Sequence, residues 1–106
     1  MDAMTEPADS RLRIDAEMTI AAAAGLRETL VDAVTALPEG SAVLQLDLSA
    51  VHDFDSSGVQ LLLATRRSLA DRGAALHVVA AAAAVRDALQ LFGLAALLAP
   101  APQQPA

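Results

Sequence analysis

The sequence predicts an α/β domain in which a mostly parallel sheet carries helices packed against it. Three observations lead to this prediction: short apolar segments typical of strands, longer segments with apolar residues three and four positions apart, and single glycines between them. The predicted order is β-α-β-α-β-α. Strands alternating with helices of this length are joined by right-handed crossovers, which make the strands parallel. A chain of 106 residues has the length of one domain, and we expect its folded part to span residues 11–98.

The first predicted element is a half-buried strand or hairpin within residues 11–20, suited to an antiparallel or edge position in the sheet. Its apolar residues alternate with charged or polar ones: Leu12, Ile14, Met18 and Ile20. A helix follows, in which the apolar residues recur at helical spacing: Leu26, Leu30, Val34 and Leu37. Pro38 and Gly40 are expected to end this helix.

The second half of the chain repeats the alternation. "AVLQLDL" predicts a strand, residues 56–73 a helix closed by Gly73, "AALHVVA" a strand, and "AAVRDALQLF" a helix with Gly93 at its end. The last apolar segment, "LAALL", suits an edge strand or a helix equally. The sheet would then hold about four to five strands, with about three to four helices.

Both ends of the chain are predicted to be disordered. Residues 1–10 are polar and acidic, and "APAPQQPA" at 99–106 cannot pack a core. The start also lacks the basic and then apolar order of a signal peptide. The run "VVAAAAAV" is far shorter than the roughly 20 residues that cross a bilayer. We therefore expect a cytoplasmic protein without direct membrane insertion.

The composition excludes several kinds of function. Without cysteine, the chain can form no disulfide, thiolate metal site or cysteine nucleophile. Its seven basic residues are outnumbered by thirteen acids, and the resulting net charge of −6 argues against binding to nucleic-acid phosphates. With only two aromatic residues, it also offers no platform on which bases could stack.

The polar stretch "LDLSAVHDFDSSGVQLLL" at 46–63 is the main candidate for chemistry. Asp47 at a strand end resembles the magnesium-holding aspartate of phosphate-handling enzymes, but the chain has no "GxxxxGK[ST]" and no lysine. A serine hydrolase would need a "GxSxG" elbow, which is missing, and we interpret His77 as an ordinary strand residue. His52, Asp53 and Asp55 would point in alternating directions on an extended loop and suit a metal poorly. We therefore predict that the protein is not an enzyme and binds no cofactor.

The same stretch also has the pattern of a strand end followed by a helix start. Asp55 is the predicted N-cap, whose carboxylate accepts amide hydrogens two or three residues further on. At 3.6 residues per turn, one stripe should face the sheet: Gly58, Leu62, Thr65 and Leu69, with Leu61 beside it. Gly58 would let the first turn pack close to the preceding strand. The opposite stripe should face solvent: Ser56, Gln60, Leu63 and Arg67, with Val59 on its flank.

Two interpretations of this outer stripe remain open. It is either a solvated face with one stray leucine, or a small apolar patch beside a modifiable serine, where a protein partner docks.

At "DFDSSGVQLL" the sequence resembles the STAS domains, named for sulfate transporters and anti-sigma factor antagonists. The resemblance extends over residues 11–98, through "AEMTIAAAAGLRETL" before the motif and "GAALHVVAAAAAVRDALQLFGLAALL" after it. In free-standing antagonists of this family, a partner kinase that is also the anti-sigma factor phosphorylates the first serine of "DSSG". The resemblance therefore implies that Ser56 is phosphorylated and that only the unphosphorylated form binds the partner.

The predicted partner-binding surface follows from the motif and the outer stripe together. It comprises Asp55, Ser56, Ser57, Gly58, Val59, Gln60, Leu63 and Arg67. The predicted function is that of a regulatory protein-binding module, switched by phosphorylation of Ser56 and bound by an anti-sigma factor or serine kinase. STAS domains also serve as small subunits of lipid-transport complexes and beside chemotaxis proteins, and these alternatives stay open.

Overall fold

The computed structural model describes residues 9–40 and 43–98, and its element order is the predicted one. Three strands alternate with three helices: β1 (Asp9–Arg13), α1 (Ala23–Ala36), β2 (Val43–Leu48), α2 (Ser56–Ala70), β3 (Ala75–Ala81) and α3 (Ala83–Leu91). A 3-10 helix, Ala95–Leu97, follows α3. Gly73 and Gly93 have positive φ in the turns that follow α2 and α3, as the sequence predicts for residues that end helices.

The three strands form one parallel sheet in the order β1-β2-β3. Right-handed crossovers that always advance in one direction place α1 and α2 on the same face. The burial along β2 agrees with this arrangement. Leu44, Leu46 and Leu48 are buried toward the helices, whereas Val43, Gln45 and Asp47 between them are only half-buried.

In the described part of the chain the sheet has three strands, slightly fewer than the predicted four to five but compatible with the predicted fold. Beyond the three strands, two isolated parallel bridges occur, Met18 with Phe54 and Val78 with Leu98. After Arg13 the chain makes one more sheet-like bond, from the Ile14 N–H to the Asp47 carbonyl at 3.1 Å, and then leaves the sheet as a loop. The segment "LAALL" forms the 3-10 helix before its last residue pairs with β3.

The element predicted within residues 11–20 is an edge strand, as expected, but it is parallel to its neighbour. It begins at Asp9, two residues before the predicted start of the folded part. Its predicted alternation also fails at the end: Met18 is fully buried, whereas Ile20 is 78% exposed. Residues 1–8 and 99–106, where we predict disordered ends, lie outside the described residues.

One apolar cluster joins all elements on the helical side of the sheet. α1 contributes the predicted leucine and valine positions, with Leu37 just beyond its end. The centre of the cluster contains the side chains with the least exposure: Met18, Leu44, Leu46, Leu48, Val51, Leu62, Leu69, Val78, Val85 and Leu89. Among the described helices, none combines the length and apolar character needed to cross a membrane.

Candidate functional site

The loops that follow β1 and β2 lie side by side at the carboxyl end of the sheet. The Met18 N–H donates to the carbonyl of Asp53 at 2.8 Å, and the Asp55 N–H donates to the carbonyl of Met18 at 3.2 Å. These two bonds form the parallel bridge between Met18 and Phe54. The loop after β1 therefore braces the segment that leads into α2.

Asp55 is the N-cap of α2, as predicted. Its Oδ1 accepts the N–H of Ser57 at 2.8 Å, which satisfies one of the amides that a helix start leaves without a partner. Its Oδ2 accepts the N–H of Ile20 at 3.2 Å, a contact across 35 residues of sequence. One carboxylate thus joins the start of α2 to the loop after β1.

The pKa of Asp55 reflects two opposing effects. Partial desolvation raises it, but the hydrogen bonds from the Ile20 and Ser57 amides outweigh this effect, and the net result is a pKa below the ordinary 3.8. The carboxylate beside Ser56 is therefore charged at neutral pH.

Gly58 lets α2 pack tightly on its surroundings, but its nearest neighbours are not in the strand that the sequence suggested. A Cβ at this position would lie 2.5 Å from Cε1 of Phe54 and 2.9 Å from the carbonyl oxygen of Met18. The glycine thus allows the first turn to pack on the braced loops instead of on β2.

The inner face of α2 is correctly predicted. Gly58, Leu62, Thr65 and Leu69 are buried, and Leu61 is half-buried. On the outer face, Ser56, Gln60 and Arg67 are exposed, as expected.

Two predicted members of the outer surface are corrected. Val59 is only 5% exposed, and Leu63 is half-buried. Periodicity gives the direction of each side chain from the helix axis, but not which neighbouring elements cover its flanks. The first turn also holds Ser57 half-buried. The predicted apolar patch of Val59 and Leu63 is therefore much smaller than the pattern suggests.

An exposed apolar side chain does occur at this site, but in a place that the sequence did not indicate. Ile20 lies on the loop after β1, and its amide is bonded to the carboxylate that caps α2. The alternation of residues 11–20 predicted a buried position for it. A signal was available in the loop composition, since Asp15, Ala16 and Glu17 interrupt the strand pattern.

Asp47 is engaged within the sheet. Its Oδ1 accepts the Ser49 hydroxyl at 2.6 Å and the Ser49 amide at 3.0 Å, and Arg11 and Arg13 lie 3.6 and 3.9 Å from its Oδ2. The pKa of Asp47 lies below the ordinary 3.8, mainly because of the hydrogen bond from the Ser49 hydroxyl and next because of that from the Ser49 amide. Through these contacts the Asp47 carboxylate stabilises the end of β2.

The other residues considered for chemistry are separated. His52 and Asp53 are exposed in the loop before α2, whereas His77 is half-buried in β3. In residues 9–40 and 43–98, no three histidine or acidic side chains are grouped so that they could hold a metal ion.

A cleft of about 380 Å³ opens between α1 and α2, but it is distant from the start of α2. Its lining includes Arg27, Val31 and Ser68 and no residue of the first turn of α2. This cleft therefore does not place Ser56 in a pocket for a small ligand.

The fold is similar to those of an anti-sigma factor antagonist and of a sulfate transporter family protein. The anti-sigma factor antagonist SpoIIAA in its unphosphorylated form is 24% identical, with a TM-score of 0.68 over 94% of this chain and 85% of that chain. A sulfate transporter family protein from Wolinella succinogenes is 20% identical, with a TM-score of 0.71 over 91% of this chain and 75% of that chain. At these identities the likeness shows a shared fold. No curated protein sequence matches the chain.

A family model described as "Mlab, STAS domain" matches residues 1–99. This match includes the whole described domain and the capped serine motif at the start of α2. The fold and the matched length lead to one conclusion: the chain belongs to the STAS domain family.

Proposed function

We propose that this protein is a regulatory module that binds a protein partner through the surface around the start of α2, and that phosphorylation of Ser56 releases the partner. The observation that carries the proposal is the position of Ser56. It is the first residue of α2, it is exposed, and it follows a cap whose carboxylate is already engaged by two amides.

The domain itself should tolerate a phosphate at this position. A helix start favours an anion because its free amides and its dipole are positive. A phosphoserine adds about −1.5 to −2 charges at neutral pH. Because the Ser56 side chain is exposed, the added group would extend into water and displace no packed residue.

A docked partner would respond differently. It would have to cover a dianion next to the charged Asp55, and an uncompensated buried charge costs several kcal/mol. Since about 1.4 kcal/mol changes affinity tenfold, a fraction of this cost would release the partner. The likeness to SpoIIAA in its unphosphorylated form supports a partner of the anti-sigma factor or serine kinase class.

The experiment has two stages. The protein is first purified from its native cells, and mass spectrometry identifies the bound protein and the state of Ser56. The affinity for that protein is then measured for the wild type, Ser56→Ala, Ser56→Asp and a form with phosphoserine at position 56. Ser68→Asp is the matched control, because Ser68 is an exposed serine of the same helix.

We expect phosphoserine and Ser56→Asp to weaken binding by about tenfold or more, and Ser56→Ala and Ser68→Asp to bind like the wild type. Equal affinities for all forms would show that Ser56 does not control the interaction.

A second candidate function is a constitutive subunit of a transporter assembly. The likeness to a sulfate transporter family protein favours it. In that case Leu63 would contribute to a permanent contact, and the state of Ser56 would have no effect. Stable copurification with an ATPase, with Ser56 never modified, would support this function over the switch.

A further inference from the structure

Ile20 differs from the other exposed apolar side chains of the described residues. Val31, Leu91 and Phe92 are also exposed, but they lie on or next to α1 and α3. Ile20 is 78% exposed on the loop after β1, and its amide is held by Oδ2 of Asp55, the residue that precedes Ser56. The backbone that carries this apolar side chain is thus held against the residue that precedes the candidate phosphorylation site.

The backbone around Ile20 is also well fixed. Two residues earlier, Met18 is fully buried, and its amide and carbonyl are bonded to Asp53 and Asp55. When a partner covers a side chain on such a loop, little backbone entropy is lost, because the backbone is already ordered. Removing an isoleucine of this exposure from water is among the larger favourable contributions that one side chain makes to binding.

The charges around Ile20 indicate the chemistry of the partner. The loops 14–22 and 49–55 contain four exposed acidic side chains and no arginine: Asp15, Glu17, Asp53 and Asp55. Glu17 and Asp53 lie at the end of the paired segment where the Met18 N–H donates to the Asp53 carbonyl. Ile20 lies at the other end of this segment. A complementary surface would carry arginine or lysine opposite this acidic end.

We propose that Ile20 is the apolar anchor of the docking surface, and that the partner is a protein with an apolar pocket for Ile20 bordered by basic side chains that face Glu17 and Asp53. The inference rests on the proposed function, because the occupant is the same protein partner. It is compatible with release by phosphate. The basic side chains would pair with carboxylates at the rim, whereas Ser56 follows the aspartate that holds the Ile20 amide and would lie nearer the desolvated centre.

The test begins with the full chain in its native cells. The photo-crosslinker benzoylphenylalanine replaces Ile20 in one strain and Leu91, an equally exposed side chain at the end of α3, in another. The protein that crosslinks from position 20 and not from position 91 is purified as the binding probe. Recovery of no such protein would overturn the inference.

Affinities for this probe are then compared. Ile20→Ser keeps the amide that Asp55 binds, and we expect it to weaken binding by about tenfold or more, while Leu91→Ser binds like the wild type. Glu17→Lys with Asp53→Lys should slow association and flatten its dependence on salt. The control pair, Asp32→Lys with Asp87→Lys on α1 and α3, should not. Thermal unfolding confirms that each variant is folded.

The outcomes separate this inference from the proposed function. If phosphoserine at position 56 releases the probe but Ile20→Ser binds like the wild type, the anchor is wrong and the switch stands. If Ile20→Ser weakens binding and the state of Ser56 has no effect, the anchor stands and the switch is wrong.

Discussion

Arg72 joins the end of α1 to the turn after α2, with Nη1 donating to the carbonyl of Val34 at 2.6 Å and Nη2 donating to the carbonyl of Leu37 at 2.8 Å. The last carbonyls of a helix lack their regular amide partners four residues on, and the Val34 carbonyl accepts the Leu37 N–H at 3.2 Å instead. The planar guanidinium reaches two of them at once, a geometry that a lysine ammonium cannot reproduce. This contact fixes α1 relative to the turn that leads into β3.

We expect Arg72→Ala to lower the free energy of unfolding by about 1–3 kcal/mol, because two carbonyls lose a charged donor. Arg72→Lys should recover only part of this loss. Urea unfolding measures both. Arg66→Ala, at an exposed position of α2, is the control and should stay within about 0.5 kcal/mol of the wild type. An equally small effect at Arg72 would contradict the structural role of its two bonds.

Gly58→Ala should destabilise the domain by about 1–3 kcal/mol, because the new methyl group would overlap the Phe54 ring and the Met18 carbonyl. Gly25→Ala in α1 is the matched control, since a Cβ there meets nothing within 4 Å. It should be neutral or stabilise the helix by up to about 1 kcal/mol. Thermal unfolding of both variants decides the matter, and equal midpoints would disprove the close packing of the first turn.

Leu62 and Leu63 test the orientation of α2. Leu62 has no exposed surface, whereas its neighbour is half-buried. Leu62→Ala should cost about 2–5 kcal/mol of unfolding free energy, and Leu63→Ala clearly less. The reverse order in denaturant unfolding would mean that the helix is rotated from the position described.

The dependence of stability on pH should arise in part from Asp47 and Asp55. Both have a folded pKa below 3.8, so the stability they contribute is present above that value and is lost as pH falls through the lower folded pKa. Asp47→Asn and Asp55→Asn should therefore reduce the loss of stability between about pH 5 and pH 2. Urea midpoints at several pH values measure this slope, with Asp32→Asn on α1 as the control. Unchanged slopes in both variants would contradict the assignment.

The residues that the sequence predicts correctly are those governed by local rules. Asp55 caps α2 because a carboxylate before a helix binds the amides that follow it, and the buried stripe from Gly58 to Leu69 follows from the helical period. The order of strands and helices is predicted for the same reason.

The residues that it misses depend on contacts between distant segments. The exposure of Ile20 depends on where the chain leaves the sheet after Arg13, and its bond to Asp55 spans 35 residues. The burial of Val59 depends on what covers the flank of α2. In the sequence, Arg72 is an ordinary polar residue near a helix end. Its role depends on the end of α1, which only the folded chain brings next to it. Periodicity contains no information on such neighbours.

The one-sided packing of the sheet bears on how the sequence of β2 can drift over time. Positions 44, 46 and 48 face the helices and should retain apolar residues of similar volume, while positions 43 and 45 face away from them and are free to vary in polarity. Position 47 lies on the outer face too, but there the bonds of Asp47 to Ser49 favour a carboxylate. Substitutions along this strand would therefore be tolerated and rejected at alternate positions. Such a central strand would evolve at two rates, one for each face.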